Sequence, residues 1–230
     1  FNVSDRFVNV YGNRVGNFRW NHLFSDKLFS NLSLIYSDYY YGLELDFVGF
    51  EWNSGIQNFN VKYDLKHYLS NTLQLNYGIN SIYYVFNPGK IVPNSPDSGI
   101  VEEQLTKKYA NENAAYVDVE HEITNNLSIQ YGLRASQFSR LGQDEFFVYE
   151  NDNPVEFDPF TLTYREAEPI DTISPGRGGT LESFFNLEPR ISMSYTFKDN
   201  NSIKASYTRL AQYLHLLSNT SSPTPLDVWT

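Results

Sequence analysis

Period-two alternation is the feature that most limits what this chain can fold into. Phe59, Val61, Tyr63 and Leu65 alternate with Asn58, Asn60, Lys62 and Asp64. The same pattern returns at Leu73–Asn80, Leu127–Arg134, Ile191–Lys198 and Ile203–Thr208, and more briefly at Leu32–Tyr36 and Val117–Glu120. Successive side chains on a β-strand point to opposite sides, so each of these runs reads as a strand with one apolar and one polar face. A weaker eighth strand is expected near Val15–Phe24, with Phe18 and Trp20 on one face. No run approaches the roughly 18 apolar residues of a membrane helix. The expectation is an all-β, antiparallel fold.

The spacing between strands adds direction. Short polar connections are expected near Ser25–Ser30, Lys66–Asn71, Glu122–Asn126 and Lys198–Ser202. Longer ones are expected near Asp46–Ser54, Asn87–Lys107 and Gly142–Ser183. Short and long connections therefore alternate, as they do in outer-membrane barrels, with turns on one side and loops on the other. A weak internal repeat accompanies this. Thr72-Leu-Gln-Leu-Asn-Tyr-Gly78 resembles Asn126-Leu-Ser-Ile-Gln-Tyr-Gly132, and each follows a short turn.

Alternation alone does not say whether the apolar face packs inward, as in a soluble sandwich, or meets lipid. Three features favour lipid. Tyr recurs at comparable depth in several strands, as in an interfacial girdle. The polar face is richer in Asn, Gln, Ser, Thr and Arg than in the Lys/Glu mixture of soluble surfaces. The connections are asymmetric. Composition agrees: 17% of residues are aromatic, yet mean hydropathy is −0.44, the combination that two-faced strands produce.

Composition also excludes several chemistries. The 230 residues include no cysteine, so neither disulfides nor thiolate metal sites are open to the chain. The net charge of −10 argues against a nucleic-acid partner, which needs clustered Lys and Arg. His22, His67, His121 and His215 lack metal-ligand spacing, and no nucleophile with a neighbouring base stands out. No catalytic residue, metal ligand or cofactor is expected. Gly176-Arg-Gly-Gly179 lacks the strand–loop–helix setting of a phosphate cradle.

Several stretches resemble the barrel of a TonB-dependent outer-membrane receptor, SusC-like in the broad sense. One is Gly16-Asn-Phe-Arg-Trp-Asn-His-Leu-Phe24, followed by Lys27–Asn31. The fullest is Leu187-Glu-Pro-Arg-Ile-Ser-Met-Ser-Tyr195, running into Ser202–Arg209 and then Gln212–Asn219. The resemblance implies that residues 1–230 form about eight strands of a larger, 22-stranded transmembrane β-barrel in the outer membrane of a Gram-negative cell. It also implies an N-terminal plug, absent from this segment, through which TonB would deliver energy for import of a small-molecule, glycan or peptide ligand. Outer-membrane lipid, lipopolysaccharide and a surface lipoprotein lid are the further partners it brings into view. The chain opens and closes without the features of a natural terminus, which reads as an internal segment. An outer-membrane barrel used for adhesion or complex assembly is the alternative.

Five residues are candidates for ligand contact. Arg134, Gln137 and Arg209 lie on or near the polar faces towards the long-connection ends, and Tyr40 and Trp52 belong to an aromatic group with Tyr39, Tyr41, Phe47 and Phe50. The competing reading of the charged set, which also includes Arg190, Lys62, Asp64 and Glu120, is an ion-pair network that stabilises the wall. The aromatic group could equally be girdle and hairpin packing. Residues 144–182 carry ten acidic and two basic side chains, a ligand-capturing or simply solvated loop. Asp171-Thr172-Ile173 resembles a short O-glycosylation signal.

Overall fold

In the computed structural model, described for residues 7–45, 49–96, 99–142, 146–176, 178–198, 201–214, 216–217 and 228–229, the alternating runs become one long antiparallel sheet. Its strands are β1 (Phe7–Ser25), β2 (Leu28–Leu45), β3 (Phe50–Tyr68), β4 (Leu73–Pro93), β6 (Lys108–Thr124), β7 (Leu127–Leu141), β12 (Thr180–Lys198) and β13 (Asn201–Thr208), with β5 (Glu103–Gln104) appended to β4. Each of the eight pairs with its neighbours in that order, and β1 and β13 are the two edges among the described residues. The connection between β7 and β12 holds β8 (Phe146–Val148) paired with β11 (Asp171–Ile173), and β9 (Val155–Asp158) paired with β10 (Thr163–Glu166). A last pair, β14 (Leu216–Leu217) with β15 (Val228–Trp229), follows β13. At the β9–β10 turn, Phe160 N donates to Asp158 Oδ1 at 2.8 Å, and that bond holds the Asp158 carboxyl below its ordinary range.

The register joins the apolar positions of successive strands into one face. The row Leu32–Tyr63–Ile79–Ala115–Ala135–Leu187 is continuous across six strands, and the next row pairs Leu34 with Phe18 and Val61. Towards the other edge, Met193 lies opposite Ile129 and Ala205, and Ile191 opposite Tyr131 and Tyr207. No second sheet covers this face among the described residues. Phe18 is 61% exposed, Ile79 60%, Ile191 51% and Tyr207 60%. Soluble monomers rarely expose more than a few hundred Å² of contiguous apolar surface, so a face of this kind marks a surface that something else covers.

The strands are longer than alternation alone suggests. At about 3.3 Å per residue, a 19-residue strand spans roughly 60 Å, against the 9–11 residues that cross a hydrocarbon layer. The excess lies on the long-connection side. There the apolar face turns polar, at the row Ser81–Asn113–Gln137 and the next row Asn111–Ser139–Ser183. Ser81 Oγ donates to Asn113 Oδ1 at 2.7 Å, and Gln137 Nε2 to Ser183 Oγ at 2.8 Å.

Two connections differ from expectation as a result. The link expected at Asp46–Ser54 is only residues 46–49, because Phe50–Ser54 already pair with Tyr41–Leu45. Likewise β4 continues to Pro93, well into the stretch expected to be loop. Of the aromatic group expected in a loop, Tyr39, Tyr40, Tyr41, Phe50 and Trp52 are all in paired strands; Phe47 lies outside the described residues. Tyr40 lies over Gly12 of β1 and Trp52 over Gly89 of β4, so two of these rings cover glycines on the neighbouring strand.

Candidate functional site

The polar face carries the charged side chains, and cross-strand rows decide which of them meet. Arg134 on β7 stands opposite Tyr116 on β6 and Glu188 on β12. Its guanidinium lies 3.5 Å from Glu112 Oε1 and 3.7 Å from Glu188 Oε1. Tyr84 donates to Glu112 at 3.4 Å. Glu188 is only 5% exposed and accepts from the buried Ser136 hydroxyl at 2.5 Å. A buried carboxylate needs such partners, because desolvation otherwise costs several kcal/mol.

The network continues through the chain that follows β13. Arg209–Leu214 turns back over the polar face, so that the Tyr213 ring stacks on Phe138 with centroids 5.3 Å apart and planes 11° from parallel. The Tyr213 hydroxyl lies 2.7 Å from Ser136 Oγ and accepts from Asn186 Nδ2 at 3.1 Å. Leu214 packs with Tyr213 against Ile56, Phe86, Ala110 and Phe138, the buried cluster at the long-connection end of this face. Arg209 reaches Asn186 Oδ1 at 3.5 Å. Tyr84, Glu112, Arg134, Glu188, Ser136, Tyr213, Asn186 and Arg209 thus form one connected system.

Nearer the short turns, a second set of pairs crosses whole strands. Arg190 on β12 bonds both oxygens of Asp118 on β6, passing over β7 at Gly132, which lies between them in the row. Tyr116 on β6 bonds Asp64 on β3, passing over β4 at Gly78. A Cβ at Gly132 would fall on Asp118 Oδ1, and one at Gly78 would come within 2.9 Å of the Tyr116 hydroxyl. Lys62 completes the set at 3.2 Å from Asp64. Asn76 donates to Glu120 at 3.0 Å. A cavity of about 330 Å³ beside Asn76, Asp118, Glu120 and Arg190 is the hollow between these rows.

Of the five candidate contacts, the structure brings two together: Arg134 and Arg209 belong to the same network. Gln137 is on the opposite face, in the polar band above the apolar rows. Tyr40 is also on that face, over Gly12, with the Arg14 guanidinium 5.1 Å from its ring. Trp52 lies on the polar-face side of β3 by alternation, far along the strand from Arg134, with its ring against Gly89. Glu112, Glu188, Ser136, Asn186 and Tyr213 were not singled out from sequence. Four of them sit at the polar parity of their strands, a signal that was available; Tyr213 comes from a connection and carries no such mark. Thr172 of the Asp171-Thr172-Ile173 signal is exposed on β11. His215 lies outside the described residues. Among the described residues no group of three His, Cys, Asp or Glu side chains is placed to hold a metal.

No protein-family model matches the sequence, and comparison with curated proteins gives no match. Among solved structures the chain is similar to the ferric-catecholate import receptor Fiu of E. coli K12 in its open form, with 12% sequence identity and a TM-score of 0.53. The similarity covers 90% of this chain and 36% of the Fiu chain. The eight-stranded antiparallel sheet therefore has the fold of an arc of a TonB-dependent receptor barrel.

Proposed function

We propose that the chain is part of the wall of a TonB-dependent transporter in the outer membrane of a Gram-negative cell, SusC-like in the broad sense, which imports a nutrient ligand. The observation that carries this reading is an apolar face to which all eight strands contribute, uncovered among the described residues, on a sheet with a receptor-barrel fold. Every backbone group of a sheet in hydrocarbon must be paired, so the edges at β1 and β13 must be closed, and in this reading a 22-stranded barrel closes them. The polar face then lines the lumen, where Arg134, Glu112 and Glu188 stabilise the wall and Arg209 and Tyr213 stand at its long-connection end. The plug, TonB and a surface lipoprotein lid are the partners of this reading.

The test is made on the full-length protein. Purified in detergent, it is expected to bind the periplasmic domain of TonB, and cells lacking TonB are expected to lose the uptake that the protein supports. A full-length protein that enters the outer membrane but neither carries a plug nor binds TonB would support the adhesion or assembly barrel instead.

A further inference from the structure

The strap that follows β13 is held to the polar face by side chains. Beyond the Arg209 N bond to Pro189 O, no backbone–backbone hydrogen bond ties residues 210–214 to a strand among the described residues. Two adjacent side chains hold it instead. The Tyr213 ring stacks on Phe138, and Leu214 packs beside it on the cluster of Ile56, Phe86, Ala110 and Phe138. The phenol is met from both sides. Ser136 Oγ gives its own proton to Glu188, so in its 2.7 Å contact with the Tyr213 hydroxyl it accepts. Asn186 Nδ2 donates to the phenol oxygen at 3.1 Å. A stacking ring, an acceptor and a donor thus surround one hydroxyaryl group, with an apolar seat next to it. Gln212 Nε2 donates to Leu214 O at 2.8 Å, a bond within the strap that moves with it.

A segment tied down by two side chains is exchangeable for a molecule that brings the same two groups. The seat lies towards the long-connection end of the polar face, which in outer-membrane barrels is the outside. A ligand entering the lumen from there reaches Phe138 and Ser136 before the rows of Arg134 and Arg190. The present occupant gives the chemistry. It is two consecutive residues of peptide, a hydroxyaryl side chain followed by a branched aliphatic one. A sugar has no branched aliphatic group for the Ile56 and Phe86 cluster. The ten acidic and two basic side chains of residues 144–182, in the connection on the same side, disfavour an anion.

We propose that Tyr213 and Leu214 are a tethered stand-in for the ligand, and that their seat takes a peptide presenting an aromatic and an aliphatic side chain in succession, which displaces the strap. The proposal rests on the transporter reading above and names its ligand class. It is tested with the full-length protein in detergent, using the fluorescent peptide dansyl-Gln-Tyr-Leu-amide as the probe and anisotropy as the readout. The double variant Tyr213→Ala, Leu214→Ala, which empties the seat, is expected to bind the probe at least about fivefold more tightly than the unmodified protein, because the internal competitor is gone. Replacing the probe's tyrosine by alanine, which leaves the protein untouched, is expected to weaken binding to the double variant about tenfold through loss of the stack and the hydroxyl bonds. On the unmodified protein, saturating probe is expected to speed trypsin cleavage at Arg209 as the strap leaves. Equal binding by the two proteins, equal binding of the two peptides, or displacement of the probe by an equal concentration of 2,3-dihydroxybenzoate overturns the proposal. If the protein binds the periplasmic domain of TonB and the peptide results are negative, only this proposal fails; if it does not bind TonB, the transporter reading fails whatever the peptides do.

Discussion

Gly78 and Gly132 give the residue scale its clearest lesson. Both end the Leu-x-x-x-Tyr-Gly repeat visible in the sequence, but the repeat does not say what the glycines are for. Register supplies the reason: each lies in the middle of a three-strand row whose outer members, Asp64 and Tyr116 or Asp118 and Arg190, bond across it. Gly132→Ala is expected to push Asp118 and Arg190 apart and to lower stability by about 1–3 kcal/mol, the usual range for overpacking. Denaturant unfolding of the full-length protein in micelles measures it, with Gly16→Ala as a control that meets open space. An equal loss at both glycines would mean that the crossing pair does not set the cost, since the smaller unfolded-state entropy of Ala on its own favours folding. Arg134 makes a second case. Arg134→Gln leaves Glu112 and the nearly buried Glu188 facing each other, and a loss of about 3–5 kcal/mol is expected. Adding Glu188→Gln should restore part of it, since coupled neighbours are not additive; a double variant as unstable as the sum of the singles would remove Arg134 and Glu188 from one network. Polar parity put Arg134 within reach of sequence reading. Its partners were hidden because pairing depends on register between strands far apart in the chain.

Among the elements, β13 is the informative exception. It has 8 residues where the seven other long strands of the sheet have 15–21. Pro189 on β12 marks where it ends: pairing with β13 begins at Arg190–Thr208, and Pro189 O accepts only from Arg209 N, at 3.0 Å. In an antiparallel strand the N–H and C=O of one residue point the same way. The donor that Pro189 lacks therefore faces the side where β13 has stopped, which is how a proline fits within a long strand. The chain beyond then folds over the polar face as the Tyr213 segment. Tyr213→Phe is expected to loosen that segment by about 1 kcal/mol, the worth of an ordinary hydrogen bond. Trypsin cleavage at Arg209 should then quicken roughly fivefold, and further in Tyr213→Ala, which also loses the ring stack. Unchanged cleavage in both variants would show that the segment is held by something other than Tyr213. Strand existence was legible in the alternation of β3, β4, β7 and β12. Strand length was not. Beyond the apolar rows the outer side becomes Ser81, Asn113, Gln137 and Ser183 while the inner side becomes Ile56, Phe86 and Phe138, so the two-face signal reverses while the pairing continues.

For the whole molecule the question is which side of the sheet meets oil. Eight strands contribute to one apolar face that nothing among the described residues covers. A sheet must bury its apolar face against something, and a lipid layer accepts it without a second sheet. On this account a charge at the middle of that face is costly and the same charge on the other side is not. Ile79→Arg is expected to destabilise the inserted barrel by about 2–4 kcal/mol, whereas Gln130→Arg, exposed on the other face and opposite Glu120, should cost less than about 1 kcal/mol. The measurement is unfolding from lipid vesicles, and equal costs at the two positions would count against the inversion.

The most direct measurement uses the absence of cysteine from this chain. Single cysteines placed at Ile79, Ile129 and Met193, and separately at Asn80, Gln130 and Ser192, can each carry a nitroxide spin label in the full-length protein reconstituted into bilayers. Collisions with oxygen, which concentrates in lipid, and with a water-soluble nickel chelate then report what each side chain faces. The account predicts high oxygen and low nickel accessibility at the first three positions and the reverse preference at the second three, alternating residue by residue along β4, β7 and β12. Labels at Ile79, Ile129 and Met193 that are inaccessible to both reagents would place those side chains in a dry protein interior and contradict it.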